Sequence, residues 1–220
     1  MELLEKKILG NPKSDLKDHL YVYISDNGKS LNTKDFQSAF IKILPNLNLG
    51  GVGGFTRGII EANVDKEQKN ITHILLMDDD VIIETEALYR TYSFLRFLKS
   101  EYEDAFIGCA TMRLDFQNIL YEQGALWNSG NISIPKFCMD VNSLYNILRN
   151  EKEDNIDYIG WWYCCMPINI ANNQNLPLPI FIFRDDIEYC LRNCKKVITF
   201  NGICVWHEPF DKKDASMMDY

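Results

Sequence analysis

The sequence predicts an α/β fold with a mixed, mostly parallel sheet flanked by helices, and two observations carry that prediction. Short runs rich in β-branched and aromatic residues (21–24, 71–77, 105–112 and 196–206) alternate along the chain with segments of helical spacing (59–64, 86–100 and 185–194). Alternation of this kind favours strands joined by crossover helices, and therefore parallel pairing. The 220 residues suffice for one sizeable core, and no repeat, low-complexity stretch or linker interrupts them. A single domain over residues 1–220 is the expectation.

Taken in order, residues 1–18 read as a polar helix with a break at Gly10-Asn11-Pro12. Residues 21–24 form a buried strand that delivers a turn at Ser25-Asp26-Asn27-Gly28. Residues 36–44 suit a short helix or strand. The segment NLGGVGGFTRG, residues 48–58, holds five glycines and reads as a loop of unusual backbone angles, with a helix continuing over 59–64. Residues 71–77 are the clearest strand, and they run directly into Asp78-Asp79-Asp80. In the helix over 86–100, Leu88, Tyr92, Leu95 and Lys99 recur at helical spacing. Another strand follows at 105–112, then polar loops with a hairpin over 115–138 and a helix over 140–150. Residues 158–166 (YIGWWYCCM) read as an aromatic strand, and 177–183 as an extended prolyl segment. A helix over 185–194 and a last strand over 196–206, with a turn at Asn201-Gly202, lead to His207.

Composition narrows the function. The net charge is −8 and the pI about 4.9, which opposes nucleic-acid binding, where a basic face is the usual footprint. It does not oppose a nucleotide held through a divalent cation between carboxylates and phosphates. The seven cysteines include no CxxC pair or Cys/His zinc spacing, so reduced thiols in a cytoplasmic protein are expected. The first twenty residues lack the basic-then-apolar pattern of a secretory signal. No apolar run approaches the roughly 18 residues of a membrane span, which leaves peripheral attachment at the inner membrane face open.

Five features carry chemistry. Asp78-Asp79-Asp80 ends an apolar strand, where ligand sites of open α/β sheets form. Adjacent carboxylates repel, and Mg²⁺ or Mn²⁺ relieves that repulsion; an exposed acidic turn is the plain alternative. Asp185-Asp186 opens a helix, where carboxylates cap free N–H groups, and it also supplies a candidate general base. His207 ends the last strand and suits Mn²⁺, although a lone histidine is more often a packed residue. Arg57 in the glycine-rich segment is suited to a diphosphate. Paired Trp161 and Trp162 would point to opposite faces of a strand, one toward the core and one toward a site.

The ordered set SDN, NLGGVGGFTRG, MDDD, WW, DDIEY and WHEPF, spanning residues 21–210, resembles the polymerising galactofuranosyltransferases. These are inverting family 2 glycosyltransferases of GT-A (Rossmann-like) fold, and Asp78-x-Asp80 resembles their DxD metal motif. The resemblance implies UDP-galactofuranose as donor and a glycan or lipid-linked glycan as acceptor. It implies Asp78, Asp80 and His207 as ligands of Mn²⁺ or Mg²⁺, Asp186 as the base with Asp185 beside it, and Trp161 and Trp162 at the acceptor. Asp26, Asn27, Asn48, Arg57 and Asp79 match segments near the nucleotide or donor sugar. The family's first βα element has no counterpart before residue 21, so the domain reads as truncated at its N-terminus. A nucleotidyltransferase using the same acids, and a non-catalytic binder of nucleotide sugars or glycans, are the alternatives.

Overall fold

The computed structural model describes residues 4–32, 38–181 and 183–209. Its contacts divide the chain into two compact units, Met1–Ile74 with Pro167–Asp185, and Leu75–Met166 with Asp186–Tyr220.

In the first unit, the expected N-terminal helix shrinks to a short π-helix over Glu5–Leu9, which buries Ile8 and Leu9. Pro12, with no N–H and a fixed φ, lies just beyond it, and turns continue to residue 19. Strands β1 (Val22–Asp26) and β2 (Ile41–Pro45) pair in parallel, with Val22 opposite Ile41. Residues 36 and 37 of the expected 36–44 element lie outside the described residues; its later part is β2.

Helix α1 (Gly50–Lys69) overturns the loop expected at the glycine-rich segment. Each interior glycine costs a helix about 1 kcal/mol relative to alanine, and close packing is what Gly50 and Gly54 supply. Gly50 takes φ +75°, and a Cβ there would stand 1.8 Å from the Phe181 carbonyl oxygen. A Cβ on Gly54 would stand 3.3 Å from Asn27 Nδ2, and Ser25 Oγ donates 2.7 Å to the Gly54 carbonyl. Gly54 thus lets the helix start lie directly on the turn after β1. Further along, Asp65 accepts from Tyr23 Oη at 2.9 Å and from Lys69 Nζ at 2.7 Å, which fastens the helix to β1.

The second unit is built on a sheet of order β3-β10-β5-β11-β4, with β6 against β5 and β9 against β6. The strands are β3 (His73–Leu76), β4 (Ile82–Ile83), β5 (Phe106–Arg113), β6 (Ile119–Glu122), β9 (Met139–Asp140), β10 (Cys164–Pro167) and β11 (Val197–His207). A small hairpin, β7 (Leu126–Asn128) with β8 (Asn131–Ser133), stands apart. Helices α2 (Thr85–Phe97), α3 (Leu144–Asn150) and α4 (Asp185–Asn193) and a 3₁₀ helix over Ser100–Tyr102 complete the elements.

The expectation of a mostly parallel sheet is corrected here. β11 and β5 run parallel, but β10 with β5, β4 with β11, β6 with β5 and β9 with β6 run antiparallel. Connection length is one reason: parallel neighbours need a crossover of a dozen or more residues, and only residues 114–118 separate β5 from β6. The aromatic strand expected over 158–166 is confined to β10, with turns before it. Its core includes Ala105, Ile107 and Cys165, packed by Leu75, Phe94, Leu95, Ile198 and Phe200. Among the described residues, no helix is long and apolar enough to cross a membrane.

Candidate functional site

Strand register assembles the metal-ligand candidates. β3 ends at Leu76 and releases the chain into Asp78-Asp79-Asp80. The two-residue strand β4 then runs antiparallel to the end of β11, with Val205 opposite Ile83 and Trp206 opposite Ile82. Continued one step further, that ladder sets Val81 opposite His207, which brings the preceding Asp80 next to the imidazole. His207 Nε2 stands 3.3 Å from Asp80 Oδ1, and one ligand atom from each of Asp78, Asp80 and His207 falls within 4.8 Å of the others. His207 is 3% exposed, while the Asp80 side chain is 44% exposed, so a fixed imidazole faces carboxylates at the rim.

The three donors fit a divalent cation. Ligand atoms about 2.1 Å from a Mg²⁺-sized ion stand about 3–4 Å apart, close to the observed spread. Two carboxylates with one imidazole are a donor set that Mn²⁺ accepts more readily than Mg²⁺. Asp79 is exposed in the turn and is not part of this cluster.

The two adjacent tryptophans have different surroundings. Trp161 is 3% exposed and meets Tyr189 of α4 edge-on, with ring centroids 5.7 Å apart. Trp162 is partly exposed, its ring 5.9 Å from that of His207. A turn produces this divergence, where strand alternation was the expected cause.

Asp185 and Asp186 open α4, as expected, and both are half-buried. Phe183 and Arg184 before them take left-handed φ of 61° and 68°, which costs L-residues roughly 1–2 kcal/mol each. The Ile187 N–H donates to Asp186 Oδ1 at 2.7 Å.

A residue that sequence reasoning missed stands near Asp186. Glu122, at the end of β6 and opposite Thr111 of β5, is buried, and burial with the nearby Asp186 charge pushes its carboxyl up to about 8. Burial also raises the Tyr158 hydroxyl, with Glu122 and Asp186 adding to the effect. Glu122, Tyr158 and Asp186 therefore share one electrostatic neighbourhood. The available signal was alternation: in Ile119-Leu120-Tyr121-Glu122 the acid shares the inward-facing parity of Leu120.

The donor-side candidates in the first unit are engaged by their own fold. Asp26 accepts from the Ser30 and Leu31 N–H groups at 3.2 and 2.8 Å, and the Leu31 bond contributes most to holding its carboxyl below the usual range. Asn27 Oδ1 accepts from Asn46 at 3.0 Å. Asn48 Oδ1 accepts from the Gly50 N–H at 3.3 Å, and Arg57 pairs with Glu61 at 2.9 Å.

Two carboxylates after a strand end and an imidazole form an acidic cluster that could hold a divalent cation. No protein-family model matches the chain. It is 32% identical over 223 residues to galactofuranosyltransferase GlfT2 of Mycolicibacterium smegmatis and 29% over 221 residues to that of Mycobacterium tuberculosis. Each match covers 89% of this chain and 33% of the relative. The chain is thus a distant homologue of galactofuranosyltransferase GlfT2, and it spans about a third of the length of these curated relatives.

Proposed function

We propose that this chain is the catalytic core of a metal-dependent, inverting glycosyltransferase of GT-A type that moves galactofuranose from a UDP-sugar to a glycan acceptor hydroxyl. The observation that carries this reading is the convergence of Asp78, Asp80 and His207, within a segment homologous to galactofuranosyltransferases. Asp78, Asp80 and His207 would hold Mn²⁺ or Mg²⁺. When bound, the ion supplies Lewis-acid stabilisation of the charge on the departing diphosphate. Asp79, Asp26, Asn27, Asn48 and Arg57 belong to the donor side in this reading, the last four by shaping segments as much as by contact.

Trp162, partly exposed near His207, offers the acceptor sugar an aromatic face. Trp161 supports it from the core side against Tyr189. Asp186 takes the proton from the attacking hydroxyl, as a positioned carboxylate can. Asp185 caps the helix and orients the acceptor.

The test is product formation from UDP-galactofuranose and a galactofuranosyl oligosaccharide with Mn²⁺, read by mass spectrometry. A product one galactofuranose heavier, lost in Asp186→Asn, supports the proposal. Binding of UDP and Mn²⁺ without any product would favour a nucleotide-sugar-binding role instead.

A further inference from the structure

We propose that Gly160 is a positioning residue of the acceptor subsite, because the space its side chain would fill is taken by the indole of Trp162. This inference rests on the reading of Trp162 as the acceptor-facing aromatic. A Cβ built on Gly160 would stand 2.2 Å from Cζ2, 2.4 Å from Cε2 and 2.4 Å from Cη2 of Trp162. Real Cβ atoms essentially never approach other atoms so closely, and an aromatic ring cannot bend away as a flexible chain end can.

Backbone conformation does not explain the glycine. The glycines with left-handed φ are Gly50, Gly124, Gly130 and Gly202, and Gly160 is not among them. Space is therefore what alanine would violate.

The backbone around Gly160 is anchored on both sides. Ile159 is fully buried, and its side chain occupies the space above Gly108, whose Cβ would stand 2.4 Å from Ile159 Cγ1. Trp161 packs edge-on against Tyr189. Tyr163 is fully buried, with its hydroxyl 2.6 Å from Thr91 Oγ1. Within residues 158–168, Trp162 is the one residue that is not buried. With both flanks packed at core density, an added methyl displaces the indole in preference to the main chain. That indole lies 5.9 Å from the His207 ring, so its displacement reshapes the surface beside the metal-ligand cluster without altering a ligand.

The test is a double-mutant cycle in the full chain: wild type, Gly160→Ala, Trp162→Ala and the pair. The readouts are thermal unfolding, Mn²⁺ affinity in the presence of UDP, tryptophan emission, and calorimetric affinity for a galactofuranosyl disaccharide. Gly160→Ala should weaken the disaccharide about tenfold or more, as loss of an aromatic anchor does, while Mn²⁺ affinity stays at the wild-type value. It should also shift the emission and lower Tm. In the Trp162→Ala background, where the space is open, Gly160→Ala should change neither Tm nor emission. If Gly160→Ala alone fails to fold, the Trp162→Ala exchange should rescue it, and failure of that rescue overturns the proposal. So does wild-type disaccharide affinity in Gly160→Ala, or an equal Tm loss in both backgrounds. A wild-type chain that does not bind the disaccharide refutes the acceptor reading, and with it the subsite role; the Tm and emission arms then decide the Gly160–Trp162 contact separately.

Discussion

The glycine-rich start of α1 and the acidic end of β3 use polar residues in contrasting ways. At the helix start, Asp26, Asn27, Asn48 and Arg57 meet backbone groups or side chains of their own unit within 3.3 Å. At the strand end, Asp78 and Asp80 of one turn and His207 from a strand far along the chain bring their ligand atoms to one spot. Convergence of like charges on a point, held there by strand register, has no obvious structural benefit. Polar residues that close a turn do. Residue type alone therefore does not separate a ligand-holding polar residue from a structural one; the direction of its contacts does.

The sharpest way to extend this contrast is Asp186→Asn, which preserves shape but removes basicity. Transfer should fall roughly 10²-fold or more in single-turnover assays, with UDP and Mn²⁺ affinity near wild type. Normal turnover would reduce Asp186 to its place in the first turn of α4.

The two tryptophans give the next effect. Trp161→Ala should cost about 3–5 kcal/mol of stability, as loss of a buried large side chain does. Trp162→Ala should cost clearly less and instead weaken acceptor binding. Chemical denaturation of both variants checks this, and equal losses would place both rings in the core.

Glu122 provides a pH signature. Its folded carboxyl titrates near 8, above the ordinary value of 4.5, so the folded state binds a proton more tightly than the unfolded chain. The resulting stability is complete below about pH 4.5 and is lost as pH rises toward 8, at up to about 1.4 kcal/mol per pH unit. Wild-type Tm should therefore fall over that window more steeply than the Tm of Glu122→Gln, which keeps the neutral shape. Parallel profiles would contradict the assignment.

The smallest effect is expected at Arg57. Because it pairs with Glu61 on the same helix, Arg57→Lys should change stability by less than about 0.5 kcal/mol. A large loss of UDP affinity in this variant would show that the helix start also serves the nucleotide directly.

Much of the site was legible because its residues follow strong elements. The apolar run before Asp78 marks a strand end, and Ile187, Cys190 and Leu191 mark α4. His207 is marked by the run that ends in it. What the sequence hid was pairing. The strand β4 has only two residues, too short for any periodicity, yet its register with β11 leads Val81 opposite His207 and so brings Asp80 next to the imidazole. The glycines of α1 suggested a loop because the close contacts of Gly50 and Gly54 involve residues distant in sequence, Phe181 and Asn27. Glu122 escaped because a lone acid in a four-residue strand has no spacing partner.

The central claim, a divalent-cation site at Asp78, Asp80 and His207, is tested most directly by Mn²⁺ titration of the chain with UDP present, followed by electron paramagnetic resonance. One ion should bind per chain, and Asp80→Ala and His207→Ala should each weaken it at least about tenfold while Asp79→Ala does not. Equal Mn²⁺ affinity in wild type, Asp80→Ala and His207→Ala would contradict the account.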